Sequence, residues 1–146
     1  MYSTIAFVTN QYSCDRLIYA AKEVADRTNT ELVILEVLNS EYDLNPQAVD
    51  YLFRLSKKNK ATMRMLFTEN TKRSLLKAIS HSDCKYVLTG MPGSNHSILY
   101  DLWKKFPEKE FFAVDENGMV MEVANGKKEQ VNEKAVRAES MKVCPA

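Results

Sequence analysis

Ile5-Ala6-Phe7-Val8-Thr9-Asn10 opens the chain with four apolar residues in a row and then turns polar. A strand with one wet face alternates apolar and polar residues. An unbroken run of this kind suits a strand covered on both faces, as in parallel sheets. The segment that follows is helical in pattern. Ser13 can cap it, and Leu17, Ile18, Ala21, Val24 and Ala25 share one face as far as about Thr28, where Asn29 ends it.

The same alternation continues along the chain. Leu32 to Leu38 is a second apolar run, and Asn45-Pro46 reads as a cap with proline at the first helical position. Ala48, Val49, Leu52, Phe53 and Leu55 give that second helix its apolar side. Met63 to Phe67 is the third strand, and Thr71 is the expected cap of a third helix with Leu75, Leu76 and Ile79 inward. Tyr86-Val87-Leu88 is the fourth strand, broken by Gly90-Met91-Pro92-Gly93. A fourth helix starts near Asn95 or Ser97, buries Ile98, Leu99, Leu102, Trp103 and Phe106, and stops at Pro107. Phe111 to Val114 is a fifth strand. Asn117-Gly118 is a two-residue hairpin signal, and Met119 to Val123 returns as a sixth, antiparallel strand.

Strands alternating with helices predict an α/β domain, a parallel sheet with helices on both faces. It spans residues 1–124. Residues 125–146 are rich in Lys and Glu, with only Val131, Ala135, Ala138 and Met141 at loose helical spacing, and read as a mobile extension or marginal helix.

Bulk composition agrees with one globular domain: 146 residues, 45% hydrophobic and 27% charged. A net charge of +1 gives no electrostatic case for nucleic acid or an anionic membrane as partner. The three cysteines, Cys14, Cys84 and Cys144, are widely spaced and form no metal-ligand pattern, so no metal is expected and reduced thiols of a cytoplasmic protein are the plain reading. The apolar run at the N-terminus is too short for a signal-peptide core or a membrane span.

In parallel α/β sheets ligands bind beyond the carboxyl ends of the strands, where strand order reverses. Two loops qualify, Thr9 to Cys14 and Thr89 to Ser97. Gly90-Met91-Pro92-Gly93-Ser94-Asn95-His96-Ser97 joins a strand to a helix start, with glycines for close backbone approach and unpaired N–H donors suited to phosphate. A glycine turn with a helix cap explains the same residues without a ligand. No GxxxxGK[ST] and no GxGxxG occurs. The first loop also lacks the paired acidic residues of a response-regulator receiver, the glycine of a flavodoxin phosphate loop and the SGGxD of related adenylating enzymes.

Cys14-Asp15-Arg16-Leu17-Ile18-Tyr19-Ala20-Ala21, with Ala25 and the strand Glu31 to Val37, resembles the first βαβ unit of the universal stress protein family. It is most similar to the version carried by osmosensitive potassium-channel sensor kinases. The resemblance covers roughly residues 1 to 115. It implies a Rossmann-like, adenine nucleotide alpha hydrolase-like three-layer sandwich with five parallel strands in order 3-2-1-4-5 and a C-terminal antiparallel strand. It also implies ATP or another adenine nucleotide as ligand, a regulatory role in stress response or signalling rather than catalysis, and a homodimer formed through the last strands.

The family's phosphate motif is similar to G-x-x-G, nine residues, then G-[ST]. Gly90 and Gly93 match its first half, while Trp103 and Lys104 stand where the second half would be. Asn10 replaces the family's Asp after the first strand. By position the resemblance places Thr9, Asn10 and the main chain near Val37 at the base or ribose, and Gly90, Gly93, Ser94, Asn95 and Ser97 at the phosphates, with Met91 also in the nucleotide site. The alternative is a nucleotide-free dimeric interaction module whose pocket has degenerated. A hydrolase or nucleotidyl transferase rests on fold analogy alone. Cys14 and Trp103 read first as packing residues, His81 as structural, and Asp101 with Lys104 and Lys105 as surface pairing.

Overall fold

The computed structural model describes residues 1–9, 11–38, 45–92 and 98–123. Among these the chain forms β1 (Ser3–Val8), α1 (Asp15–Thr28), β2 (Glu31–Leu38), α2 (Pro46–Lys58), β3 (Thr62–Phe67), α3 (Thr71–Ser80), β4 (Cys84–Gly90), α4 (Ile98–Lys105), β5 (Glu110–Val114) and β6 (Val120–Val123). The sheet order is β3-β2-β1-β4-β5-β6, parallel throughout except for the antiparallel β5–β6 pair. This is the expected α/β architecture and strand order. The expected extension at 125–146 lies outside the described residues.

Side chains along each strand alternate between two helix layers. Ala6, Val8, Leu32, Ile34, Leu88, Phe112 and Val114 pack with Leu17, Ile18, Ala21 and Val24 of α1 and Leu52 and Leu55 of α2. Ile5, Leu35, Val37, Val87, Phe111 and Ala113 pack with Leu75 and Ile79 of α3 and Leu99, Leu102 and Trp103 of α4. Both faces of the central strands are therefore dry, which is why their sequences are unbroken apolar runs. Each fully buried Leu, Ile or Phe side chain contributes about 1.5–3 kcal/mol. Trp103 is fully buried and meets Tyr100 edge-on at 5.2 Å between centroids. Phe53, expected on the apolar side of α2, is instead exposed and lies beneath the Lys57 ammonium.

The helix starts differ from the sequence reading in two places. α1 is preceded by a 3-10 turn, Tyr12–Cys14, and Ser13 makes no capping bond to it. Asn70 rather than Thr71 caps α3, its Oδ1 accepting from the Arg73 N–H at 3.0 Å. Asn45 caps α2 as expected, accepting from the Ala48 N–H at 3.3 Å, with Pro46 behind it. α1 ends on Asn29 in the left-handed region at φ 54°.

The β5–β6 connection is longer than a two-residue hairpin. Residue Gly118 alone takes a positive φ there, 83°. The organiser is Asp115, whose Oδ1 accepts from the N–H groups of Asn117 and Met119, both at 2.9 Å. That side chain holds the loop open wider than an Asn-Gly turn would. Asp101 pairs with Lys72 of α3 at 3.1 Å and not with Lys104 or Lys105, so it ties two helices together. Among the described residues no helix is long and apolar enough to cross a membrane.

Candidate functional site

The sheet splits at its carboxyl end between β1 and β4. β1 stays paired with β2 up to Val8↔Glu36, and β4 with β5 up to Gly90↔Val114, but β1 and β4 pair only as far as Ala6↔Leu88. Strand order also reverses at this point, since β1 lies between β2 and β4. Phe7 and Val8 on one side and Thr89 and Gly90 on the other thus form two lips of an opening in the ladder. That geometry frees backbone polar groups at a place where ligands of α/β sheets bind.

Thr9 stands on the first lip, exposed, immediately after β1. Its N–H donates to the Cys14 Sγ at 3.4 Å, and its Oγ1 lies 3.3 Å from the same sulfur. Cys14 is buried, so the thiol closes the first loop onto the start of α1 from below. Cys84, the other described cysteine, is free, and burial pushes its thiol up to about 11. Tyr51 of α2 donates its hydroxyl to Asp15 at 2.7 Å, which helps hold the phenol's proton up to about 12, and its ring meets Tyr12 at 5.5 Å. These contacts join the first loop, α1 and α2 at one corner of the opening.

Gly90 stands on the second lip. A methyl group there would meet its nearest neighbour, Arg16 Nη2, at 3.6 Å, an ordinary contact, and its φ is not in the left-handed region. Neither backbone conformation nor internal packing requires glycine at this position. Its effect is to leave space beneath a guanidinium. Thr89 is buried, with its hydroxyl donating to the Gly90 carbonyl at 2.9 Å, and Met91 follows, 36% exposed. Val37 is buried on the α3/α4 face. Only its main chain lies at the rim, where β2 has run past its last rung with β1 and pairs on β3 alone, through Val37↔Leu66. Asn10, Gly93, Ser94, Asn95 and Ser97 lie outside the described residues.

Two residues at this end were not singled out from the sequence. Arg16, in the first turn of α1, reaches over the rim: Nε donates to the Asp115 carbonyl at 2.9 Å and Nη1 to the Ser13 carbonyl at 2.5 Å. Nη2, the nitrogen beside Gly90, makes no hydrogen bond among the described residues. A fixed guanidinium with a spare donor suits a phosphate or carboxylate oxygen.

Glu36 is fully buried on β2, and neither carboxylate oxygen has a hydrogen-bond partner among the described residues. By strand alternation it shares the α1/α2 face with Leu32 and Ile34. Burial pushes its carboxyl up to about 7 from the ordinary 4.5. A lone charge inside the apolar run Leu32 to Leu38 was the available sequence signal. Arg16 gave none, because its role depends on the distant loop at Asp115.

No protein-family model matches the chain, and a search of curated proteins returns no match. Among the described residues no group of three His, Cys, Asp or Glu side chains could hold a metal ion.

Proposed function

We propose that this chain is a universal stress protein-like domain that binds an adenine nucleotide in the split between β1 and β4, in a regulatory role. The observation that carries the reading is the spare Arg16 donor above a side-chain-free Gly90, at the reversal point of the sheet. A phosphate oxygen placed there meets a fixed cation, and the base and ribose lie toward Thr9 and the Val37 main chain. The G-x-x-G fragment Gly90 to Gly93 supports the same orientation. Trp103, where the resembled family carries a second phosphate-gripping glycine, is sealed in the core. The outer phosphates therefore receive less support than in the full motif, so AMP, ADP and cyclic di-AMP are as apt as ATP.

The test is a thermal-shift series with those four nucleotides, since a ligand that binds only the folded state raises Tm. Gly90→Asp places a carboxylate against Arg16 and should erase any shift. Flat curves for the wild type at millimolar nucleotide would reject the reading.

Under the alternative, a nucleotide-free dimeric module, β6 is the relevant element because it forms an end of the sheet. An end strand leaves backbone groups open to pairing with a second copy. Val120 and Val123 are buried, and Met121 is 9% exposed, so any such pairing uses the strand's backbone edge. Light scattering of the full chain checks it: a monomer at all concentrations would exclude the dimer.

A further inference from the structure

The opposite end of the sheet carries a basic groove unrelated to the split. β3 is the other end strand, two strands removed from the β1–β4 boundary. α3 turns Leu75 and Ile79 into the core, and its flank bearing Ser74, Lys77 and Ala78, with His81 just past its end, borders a groove of about 380 Å³. Arg64 and Leu66 of β3 form part of the other wall, on the same sheet face as α3 by alternation. A volume of this size is in the range of small-molecule sites.

Charge decides what the groove can hold. Among the described residues none that lines it is acidic. Among the described residues four cations have an acidic partner, in Lys22–Asp26, Arg27–Glu23, Arg54–Asp50 and Lys72–Asp101. Arg64 and Lys77 have no ion pair among the described residues. Both border the same groove, so an anion seated in it would meet two positive charges. The hydroxyls nearby are already committed: Ser74 Oγ donates to Thr68 Oγ1 at 2.8 Å, and Thr68 Oγ1 to the Asn70 carbonyl at 3.3 Å. Recognition of an anion thus falls to the guanidinium, the ammonium and the His81 imidazole. Leu66 and Ala78 offer apolar wall to a carbon body.

We propose that the β3–α3 groove binds a small organic dianion with a flat apolar body, its two charges set on Arg64 and Lys77. The geometry of a guanidinium favours a forked carboxylate or phosphate, and the ammonium takes the second charge as a point contact.

The experiment is a titration of the full chain with isophthalate, followed through the backbone amides by NMR. Saturable shifts confined to β3 and α3, with half-saturation below about 1 mM, are expected. Arg64→Gln and Lys77→Gln should each weaken binding on the order of tenfold. Both side chains are exposed and hold no ion pair among the described residues, so the variants keep the fold. Gly90→Asp should leave the titration unchanged, which separates this site from the proposed nucleotide site. The proposal is overturned if the shifts do not saturate, if either Gln variant binds like the wild type, if the neutral diamide produces the same shifts, or if Gly90→Asp removes them.

Discussion

Arg16, in the first turn of α1, and Asp115, just after β5, stand 99 positions apart, and the Arg16 Nε–H donates to the Asp115 carbonyl at 2.9 Å. The bond bridges the opening between the two halves of the sheet from above. Asp115 is itself held by the turn it organises, its N–H donating to the Met119 carbonyl at 3.0 Å. The guanidinium is thus positioned before any ligand arrives, which lowers the ordering cost of binding.

Removing that bridge has a measurable consequence. Arg16→Ala should cost about 1 kcal/mol of stability and weaken any nucleotide-induced Tm shift. Arg16→Lys should restore little of either, because an ammonium cannot reach two carbonyls and a ligand oxygen in a planar fork. Urea unfolding of the three proteins checks this. Equal midpoints for wild type and Arg16→Lys would show that charge alone suffices.

Glu36 makes stability depend on pH in an unusual direction. Its carboxyl titrates near 7 in the folded chain and near 4.5 when unfolded, so between those values the folded state binds more protons. Stability then falls as pH rises through that window, and the loss is complete above about 7. The full contribution is on the order of 3 kcal/mol. Glu36→Gln removes the titration, so its unfolding free energy should change less between pH 5 and pH 8 than that of the wild type. Parallel pH profiles for the two proteins would contradict this account.

Trp103 combines a large packing contribution with an orphaned donor. It is fully buried, and its Nε1 has no hydrogen-bond partner among the described residues. Trp103→Ala should cost about 3–5 kcal/mol. Trp103→Phe should cost markedly less, because it discards a buried N–H whose desolvation is unrepaid. Thermal or urea unfolding distinguishes the two. A Phe variant as unstable as the Ala variant would mean that Nε1 is satisfied in solution.

The caps give a paired test across α3 and α1. Asn70→Ala should cost about 1 kcal/mol, whereas Ser13→Ala, which removes no capping bond, should change stability little. Circular-dichroism melts report both. A larger loss at Ser13 would restore it as a cap.

The fold was readable because parallel strands buried on both faces leave unbroken apolar runs, and the helices between them leave faces such as Leu17, Ile18, Ala21 and Val24. Strand pairing needed one more step, the resemblance, which carried the order 3-2-1-4-5. Errors were local. The Asn117-Gly118 signal is genuine, yet Asp115 outcompeted it by bonding two backbone N–H groups. Asn70 displaced Thr71 as a cap because its longer side chain meets the Arg73 N–H from one residue earlier. Phe53 follows the periodicity of α2 but falls past the edge of the layer that α1 and the sheet cover, 45% exposed.

Periodicity in the chain was enough to specify an α/β sheet and to place Thr9, Val37 and Gly90 near strand ends, since burial on one or two faces is written directly into residue order. Where β1 and β4 part company, that Arg16 stands over Gly90, and that Arg64 and Lys77 share a groove were decided by tertiary structure alone. Each depends on segments distant in sequence arriving side by side, and no local pattern of hydrophobicity encodes which distant partner a side chain will meet.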